Sequence, residues 1–273
     1  MENLCVSVGT GIGGQKEIMN SLAKAGYNVE SGVEQWPRDT WVHFNGKYIE
    51  RGSIGTDGNV FGDGGNVHVG KDFVVVSDNA IYYKDVSRKL KEAFPGVNFD
   101  NLTEKHNFVA KNYGLFSDLI SDYGKQFFES RIHVAPTGYY QGKMGNTHID
   151  LFTLLLPKSK ILIFDKFFGN DANLEKHYNK IAEKENLDFI EYDGAKDGVW
   201  FPLNSLVVPR NGKDIVVIDS ASVSLKKLLD KKGIDTLCVN MPQINYPAGK
   251  INCQTNIYNM KDRRLIRKIE NSL

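Results

Sequence analysis

A single order of elements recurs along this chain: a short apolar strand, a polar turn, an amphipathic helix and a second strand. It is clearest at 213–240, where 215–218 reads as a buried strand and Ser222 stands as a helix cap. The helix carries Val223, Leu228 and Leu229, Gly233 suits the left-handed stop, and 236–239 returns as a strand. The same order runs through 160–192, with Leu174, Tyr178, Ile181 and Ala182 at helical spacing. It runs again through 72–99, with Val86, Leu90, Ala93 and Phe94, before Pro95 and Gly96 end the helix. A further copy is 4–29, with Ile18, Leu22 and Ala25 on the helix and Gly26 as its stop; a looser one spans about 107–134, with Leu115, Leu119, Tyr123 and Phe127. Five such units cannot each bury a helix face and a sheet face alone, so they are expected to stack around an axis and leave a central mouth. No Pro/Ser-rich linker or charge run separates them, and the whole of 1–273 reads as a single domain.

Composition narrows the classes of function. With 34 Lys plus Arg against 33 Asp plus Glu, the net charge is +1, so nucleic-acid binding through phosphates is not expected. No apolar run is long enough to span a bilayer, and no leader pattern opens the chain. A cytoplasmic protein is therefore expected. Three cysteines cannot form a closed disulfide framework. Cys5 and Cys238 lie in apolar, strand-like runs where a thiol acts as a small core hydrophobe, whereas Cys253 has polar neighbours on both sides.

The connections between units carry the uncommon residues. They are Trp36-Pro37-Arg38-Asp39-Thr40, Gly62-Asp63-Gly64-Gly65-Asn66, Thr147-His148-Ile149-Asp150, Asn204-Ser205 and Asn252-Cys253-Gln254-Thr255. In a closed ring equivalent connections face one end of the axis, so a thiol, an imidazole and three carboxylates can converge there. A thiolate is a strong nucleophile and a histidine moves protons. In an extended segment His148 and Asp150 share a face. Asp39, Asp63 and Asp150 would suit a planar cation with several N–H donors, which describes guanidinium. A zinc site at Cys253 and His148 is not expected, because no CxxC or HExxH spacing is present.

The ordered set WPRDT, GDGGN, THIDL and INCQT resembles the guanidino-group-modifying enzymes: arginine and agmatine deiminases, dimethylarginine hydrolases and amidinotransferases. The resemblance runs from about Leu4 to Met260. It implies the pentein fold, an α/β five-bladed propeller of ββαβ units, in agreement with the count of units above. It implies that Cys253 is the nucleophile, that His148 is the general acid and base, and that Asp39 and Asp150 grip the guanidinium. Asp63 stands where the family usually has Glu, a shorter acid in the position that orients the histidine. Asn66 aligns with a pocket-lining position, and Trp36 offers a ring face to a flat cation. The implied reaction is hydrolysis of a guanidino C–N bond through an S-alkylthiouronium adduct, or amidino transfer if an amine replaces water. A binding protein of the same fold without catalysis is the alternative from another class. The partner is a small guanidino molecule, no cofactor or metal is required, and an oligomer is compatible with the chain.

Two patterns remain. Gly9-Thr10-Gly11-Ile12-Gly13-Gly14 matches GxGxxG between a strand and a helix, with Glu30 where a dinucleotide ribose would want an acid. The other reading is a flexible turn. Arg38, Arg51, Arg131 and Arg210 are candidates for holding the α-carboxylate of an amino-acid substrate.

Overall fold

The computed structural model describes residues 3–11, 13–50, 64–77, 84–99, 104, 108, 111–125, 128–136, 148–169, 172–242 and 250–271. The first half contains β1 (Leu4–Val8), α1 (Gln15–Lys24), β2 (Asn28–Ser31), β3 (Trp41–Phe44), β4 (Lys47–Glu50), β5 (Val67–Val69), β6 (Phe73–Ser77), α2 (Lys84–Ala93), α3 (Tyr113–Gly124) and β7 (Arg131–Ala135). The second half contains β8 (Thr153–Leu156), β9 (Ile161–Asp165), α4 (Ala172–Lys184), β10 (Asp188–Tyr192), β11 (Leu206–Arg210), β12 (Lys213–Asp219), α5 (Val223–Lys231), β13 (Asp235–Val239), β14 (Thr255–Asn259) and α6 (Arg263–Glu270).

Four sheets follow one rule: an antiparallel partner, a central strand, then a parallel strand reached through helix. The orders are β5-β6-β7, β8-β9-β10, β11-β12-β13 and β14-β1-β2; β3 and β4 pair as an antiparallel hairpin. The central strands β1, β6, β9 and β12 are the near-continuous apolar runs, buried on both faces. The outer strands β2, β10 and β13 are largely half-buried or exposed.

Three helices end in the same way. Gly26, Asn186 and Gly233 adopt left-handed φ of 84°, 53° and 69°. The next residue then bonds back into the helix: Tyr27 to Leu22, Leu187 to Ala182 and Ile234 to Leu229, at 3.1, 2.9 and 3.0 Å. This is the Schellman stop, which satisfies the last carbonyls and turns the chain into the outer strand. Ser222 does stand at the start of α5, but its side chain makes no capping bond. The Asp197 carboxylate instead accepts from Ser224 N–H and Leu225 N–H at 2.5 and 3.2 Å.

The structure revises the count of units. The segments 72–99 and 107–134 belong to one unit, because β6 pairs directly with β7 and both α2 and α3 lie in that crossover. Phe99 is buried but belongs to no strand. The remaining sheet is the β3–β4 hairpin, which lacked the helical period used to find units. On α3 Ile120 is buried and Leu119 packs half-buried against the same cluster, while Leu115 is 49% exposed; the Tyr123 side chain and Phe127 lie outside the described residues. Similarly Leu225, not Val223, anchors α5. Cys238 is exposed rather than core, since it lies on the outer strand β13.

Five apolar clusters join neighbouring sheets. Val42 and Phe44 of β3 meet Val67, Val74 and Val134. Phe73, Val75 and Ala135 meet Leu162, Phe164 and the α4 face at Leu174 and Tyr178. Leu154 and Ile163 meet Val216, Ile218 and Leu229 of α5. Leu206 and Val217 meet Val6, Val8, Ile18 and Leu22. Cys5 and Tyr258 meet Trp41 of β3 together with Ile266 and Ile269 of α6. Contact therefore passes from each sheet to the next and returns to β3.

Candidate active site

Each of five polar segments leads directly into the first strand of a sheet. Asp39 precedes β3, Asn66 precedes β5, Asp150 precedes β8, Asn204 precedes β11 and Cys253 precedes β14. Three of the run-ins are single 3₁₀ turns, at Pro37–Asp39, Gly64–Asn66 and Ile149–Leu151, and the middle turn packs against the other two. His148 is extended, but Asp150 lies within the turn, so the pair is brought together by a bend rather than by a strand face.

Cys253 is buried at 4% exposure, contrary to what its polar flanks suggest; the surroundings that bury it are themselves polar. Its Sγ lies 3.6 Å from Asp150 Oδ2 and accepts from Asn204 Nδ2 at 3.1 Å. Donor atoms of His148, Asp150 and Cys253 all fall within 4.8 Å of one another. Burial pushes the Cys253 thiol well above its ordinary value, and the nearby Asp150 and Asp39 carboxylates add to that. In this arrangement the thiol stays protonated near neutral pH. Among the described residues no other group of three such side chains has this spacing. Here the sulfur is engaged by an amide and a carboxylate.

Asp150 is fully buried, and burial pushes its carboxyl up while His148, Arg38, Asn252 and Cys253 pull it back. Oδ2 accepts from Asn252 Nδ2 at 2.7 Å, and Oδ1 has no hydrogen-bond partner among the described residues. Asn66 Oδ1 is buried in the same condition. Buried acceptors without donors are costly, and a donor-rich cation relieves that cost. Asp39 Oδ1 accepts from Gly65 N–H at 3.2 Å and faces His148 Nδ1 at 3.9 Å.

Gly64 and Gly65 are required by space. A Cβ on Gly65 would stand 2.4 Å from His148 Nδ1 and 3.0 Å from Asp150 Oδ1; one on Gly64 would stand 2.0 Å from the Arg38 carbonyl oxygen. Trp36 opens the Pro37–Asp39 turn, where its carbonyl accepts from Asp39 N–H at 3.0 Å. Asp63 lies outside the described residues, as does Arg51.

Arg38 Nη2 donates to the Val67 carbonyl at 2.7 Å, Arg131 pairs with Glu185 at 2.8 Å, and Arg210 donates to the Ala25 carbonyl at 2.8 Å. Below the site a cavity of about 370 Å³ runs along the first strands, lined by Arg38, His68, Asp150, Asn252 and Thr255 among others. His68 is held neutral there, pushed down to about 3 by burial and by Arg38. Of the 9–14 pattern, which includes Ile12 outside the described residues, Gly9 follows β1 and ties it to the turn of Cys253: its N–H donates to the Gln254 carbonyl at 2.8 Å. Glu30 does not await a ribose, since Tyr258, Arg263 and Arg267 all engage its carboxylate.

No protein-family model matches the sequence, and no curated protein matches it. Solved structures do. DDAH from Pseudomonas aeruginosa, as a cysteine-to-serine mutant complexed with citrulline, superposes with a TM-score of 0.56 at 8% identity, covering 93% of this chain and 98% of that one. Agmatine deiminase of Enterococcus faecalis superposes with a TM-score of 0.56 at 11% identity, covering 93% of each chain. Agmatine deiminase of C. jejuni, with substrate bound, gives 0.53 at 12% identity, again over 93% of each chain. The chain has the pentein fold. The resemblance drawn from four short motifs thus agrees with the fold found over nearly the whole chain, at an identity too low for sequence comparison to register.

Asn252 and Asn204 were the residues that sequence reading undervalued. Asn252 adjoins Cys253, and Asn204 stands before its strand as the acids and the thiol stand before theirs, so the repeat itself was the available signal. Among the described residues no helix is long and apolar enough to cross a membrane.

Proposed function

We propose that this protein is an enzyme that hydrolyses a guanidino C–N bond through Cys253, in one catalytic domain arranged as a five-bladed ring. The observation that carries the reading is a buried thiol against a buried carboxylate, with His148 within 4.8 Å of both, at the shared end of five strands. Asp39 and Asp150 take the N–H groups of a planar cation, and the unpartnered Asp150 Oδ1 and Asn66 Oδ1 accept from it. The cation's charge offsets the carboxylates that oppose ionisation of Cys253, so when substrate is bound the thiol passes its proton to neutral His148 and becomes a thiolate.

The thiolate adds to the guanidinium carbon, and the C=N electron pair moves onto nitrogen. Protonated His148 gives its proton to the departing nitrogen, the C–N bond breaks, and an S-alkylthiouronium remains on Cys253. Neutral His148 then takes a proton from water, the oxygen adds to the same carbon, and the C–S bond breaks. The ureido product leaves as the added hydroxyl gives up its remaining proton to form the C=O, and that proton restores the thiol while His148 releases the one from water to solvent. Asp63 keeps the role of orienting His148 as part of this proposal. Three free cysteines, one of them reactive, suit the reducing cytoplasm.

The test is product analysis over arginine, agmatine, methylated arginines and guanidino acids, with and without amine acceptors, for wild type and Cys253→Ala. Formation of a ureido product that Cys253→Ala abolishes is the expected result. Amidino transfer to an acceptor would instead identify a transferase. Absence of turnover across the panel, with no adduct trapped on Cys253, would overturn the reading in favour of a binding role.

A further inference from the structure

Asn204 is 1% exposed and precedes β11 as Cys253 precedes β14. Its Oδ1 accepts from Lys250 N–H at 2.7 Å and from Cys253 N–H at 3.3 Å. Two backbone donors on one atom identify it as the carbonyl oxygen, so the orientation of the amide follows from its network. The other end of the amide is therefore the NH₂ group. It donates to Cys253 Sγ at 3.1 Å and to the Asp150 carbonyl at 3.4 Å. The backbone takes part too, because Asn252 N–H donates to the Asn204 carbonyl at 3.3 Å. At the other end of the same turn, Lys250 Nζ is paired with Asp219 at 2.8 Å. The nucleophile's turn is thus held on both sides, and one amide fixes both its backbone and its sulfur.

The charges around that sulfur make the N–H matter. Asp150 and Asp39 both oppose a negative charge on Sγ, while the Asn204 hydrogen bond favours it. A hydrogen bond to an ionised partner is stronger than one to a neutral group. We propose that Asn204 is a catalytic residue of the thiol chemistry: its side-chain N–H stabilises Cys253 as a thiolate, before attack on the substrate carbon and again when the sulfur departs. The amide neither gains nor loses a proton. The proposal rests on Cys253 being the nucleophile.

Asn204→Asp separates this role from a purely architectural one. Aspartate keeps an oxygen for the Lys250 and Cys253 N–H groups but presents a second oxygen, not an N–H, to the sulfur. The measurement is the pH dependence of iodoacetamide alkylation at Cys253, resolved by peptide mass spectrometry, with exposed Cys238 as the internal standard. It needs no substrate, so a wrong guess about the guanidine leaves it readable. Losing a charge-assisted hydrogen bond should slow Cys253 alkylation at fixed pH about tenfold or more and move the profile to higher pH. Cys238 should react as before. An unchanged Cys253 profile in folded Asn204→Asp protein overturns the proposal. If that variant does not fold, Asn204→Ser, with a hydroxyl too short to reach the sulfur, carries the same expectation and the same refutation. On a turned-over guanidine, kcat should fall in Asn204→Asp with KM little changed; a loss confined to KM also counts against the proposal.

Discussion

At the scale of single residues, spacing decides the site more than side-chain chemistry does. Gly65 has no Cβ because His148 occupies the place where one would stand. Gly65→Ala should therefore displace the imidazole by about an ångström and lower turnover about a hundredfold, with only a small change in melting temperature. Kinetics and calorimetry on the one variant check both halves. Asp165 offers a test of burial. Its carboxyl, ordinarily near 3.8, is pushed up to about 6 by burial and by Asp193, against hydrogen bonds from Gly194, Phe167 and Phe168. The folded state then holds a proton that the unfolded chain releases between those values. This residue's contribution to stability is accordingly greatest below pH 4 and falls as pH rises to 6, by at most about 3 kcal/mol. Urea unfolding at pH 4 and pH 7 should show a smaller decline in Asp165→Asn than in wild type. The convergence of Asp39, His148, Asp150 and Cys253 was legible in the sequence because the four stand in a recognisable order, each in the run-in to a strand. Burial was not legible. Cys238 and Cys253 exchanged their expected environments because flanking residues report a strand's own composition, whereas exposure depends on what packs across it.

At the scale of elements, the crossover pattern was readable wherever a helix separated two strands by a short distance. It failed at β6–β7, where α2 and α3 share one crossover, and at β3–β4, which has no helix to set the period. The three Schellman stops show why glycine was a good marker for two helices and missed the third: Asn186 adopts the same left-handed turn. Helix starts were harder to read. Asp197 caps α5 from a separate turn and also takes a hydrogen bond from Tyr192, so no local pattern announces it. Asp197→Ala should cost about 2 kcal/mol, whereas Ser222→Ala should cost little. Denaturant midpoints of the two variants would reverse in order if Ser222 were the working cap.

At the scale of the whole molecule, the ends of the described chain meet. The strand after Cys253 completes the sheet begun by β1, with Val8 opposite Thr255 and Leu4 opposite Asn259. Helix α6 then covers the junction between that sheet and β3, where Ile266 and Ile269 are buried and Glu270 accepts from Ser7 at 3.2 Å. Two buried isoleucines contribute about 3–6 kcal/mol, and removing α6 would also leave Glu30 without Arg263 and Arg267. Deletion of residues from 263 onward should therefore lower stability by several kcal/mol, with turnover lost in step with folding when both are followed across a temperature series. The placement of β14 also has a bearing on biosynthesis. Cys253 follows all its proposed partners in chain order, and the strand that seats it pairs with β1, which precedes every one of them. A polypeptide stopped short of β14 would thus carry the acids and the imidazole without the thiol proposed to use them, and competence for chemistry would arrive in one event, when β14 closes on β1.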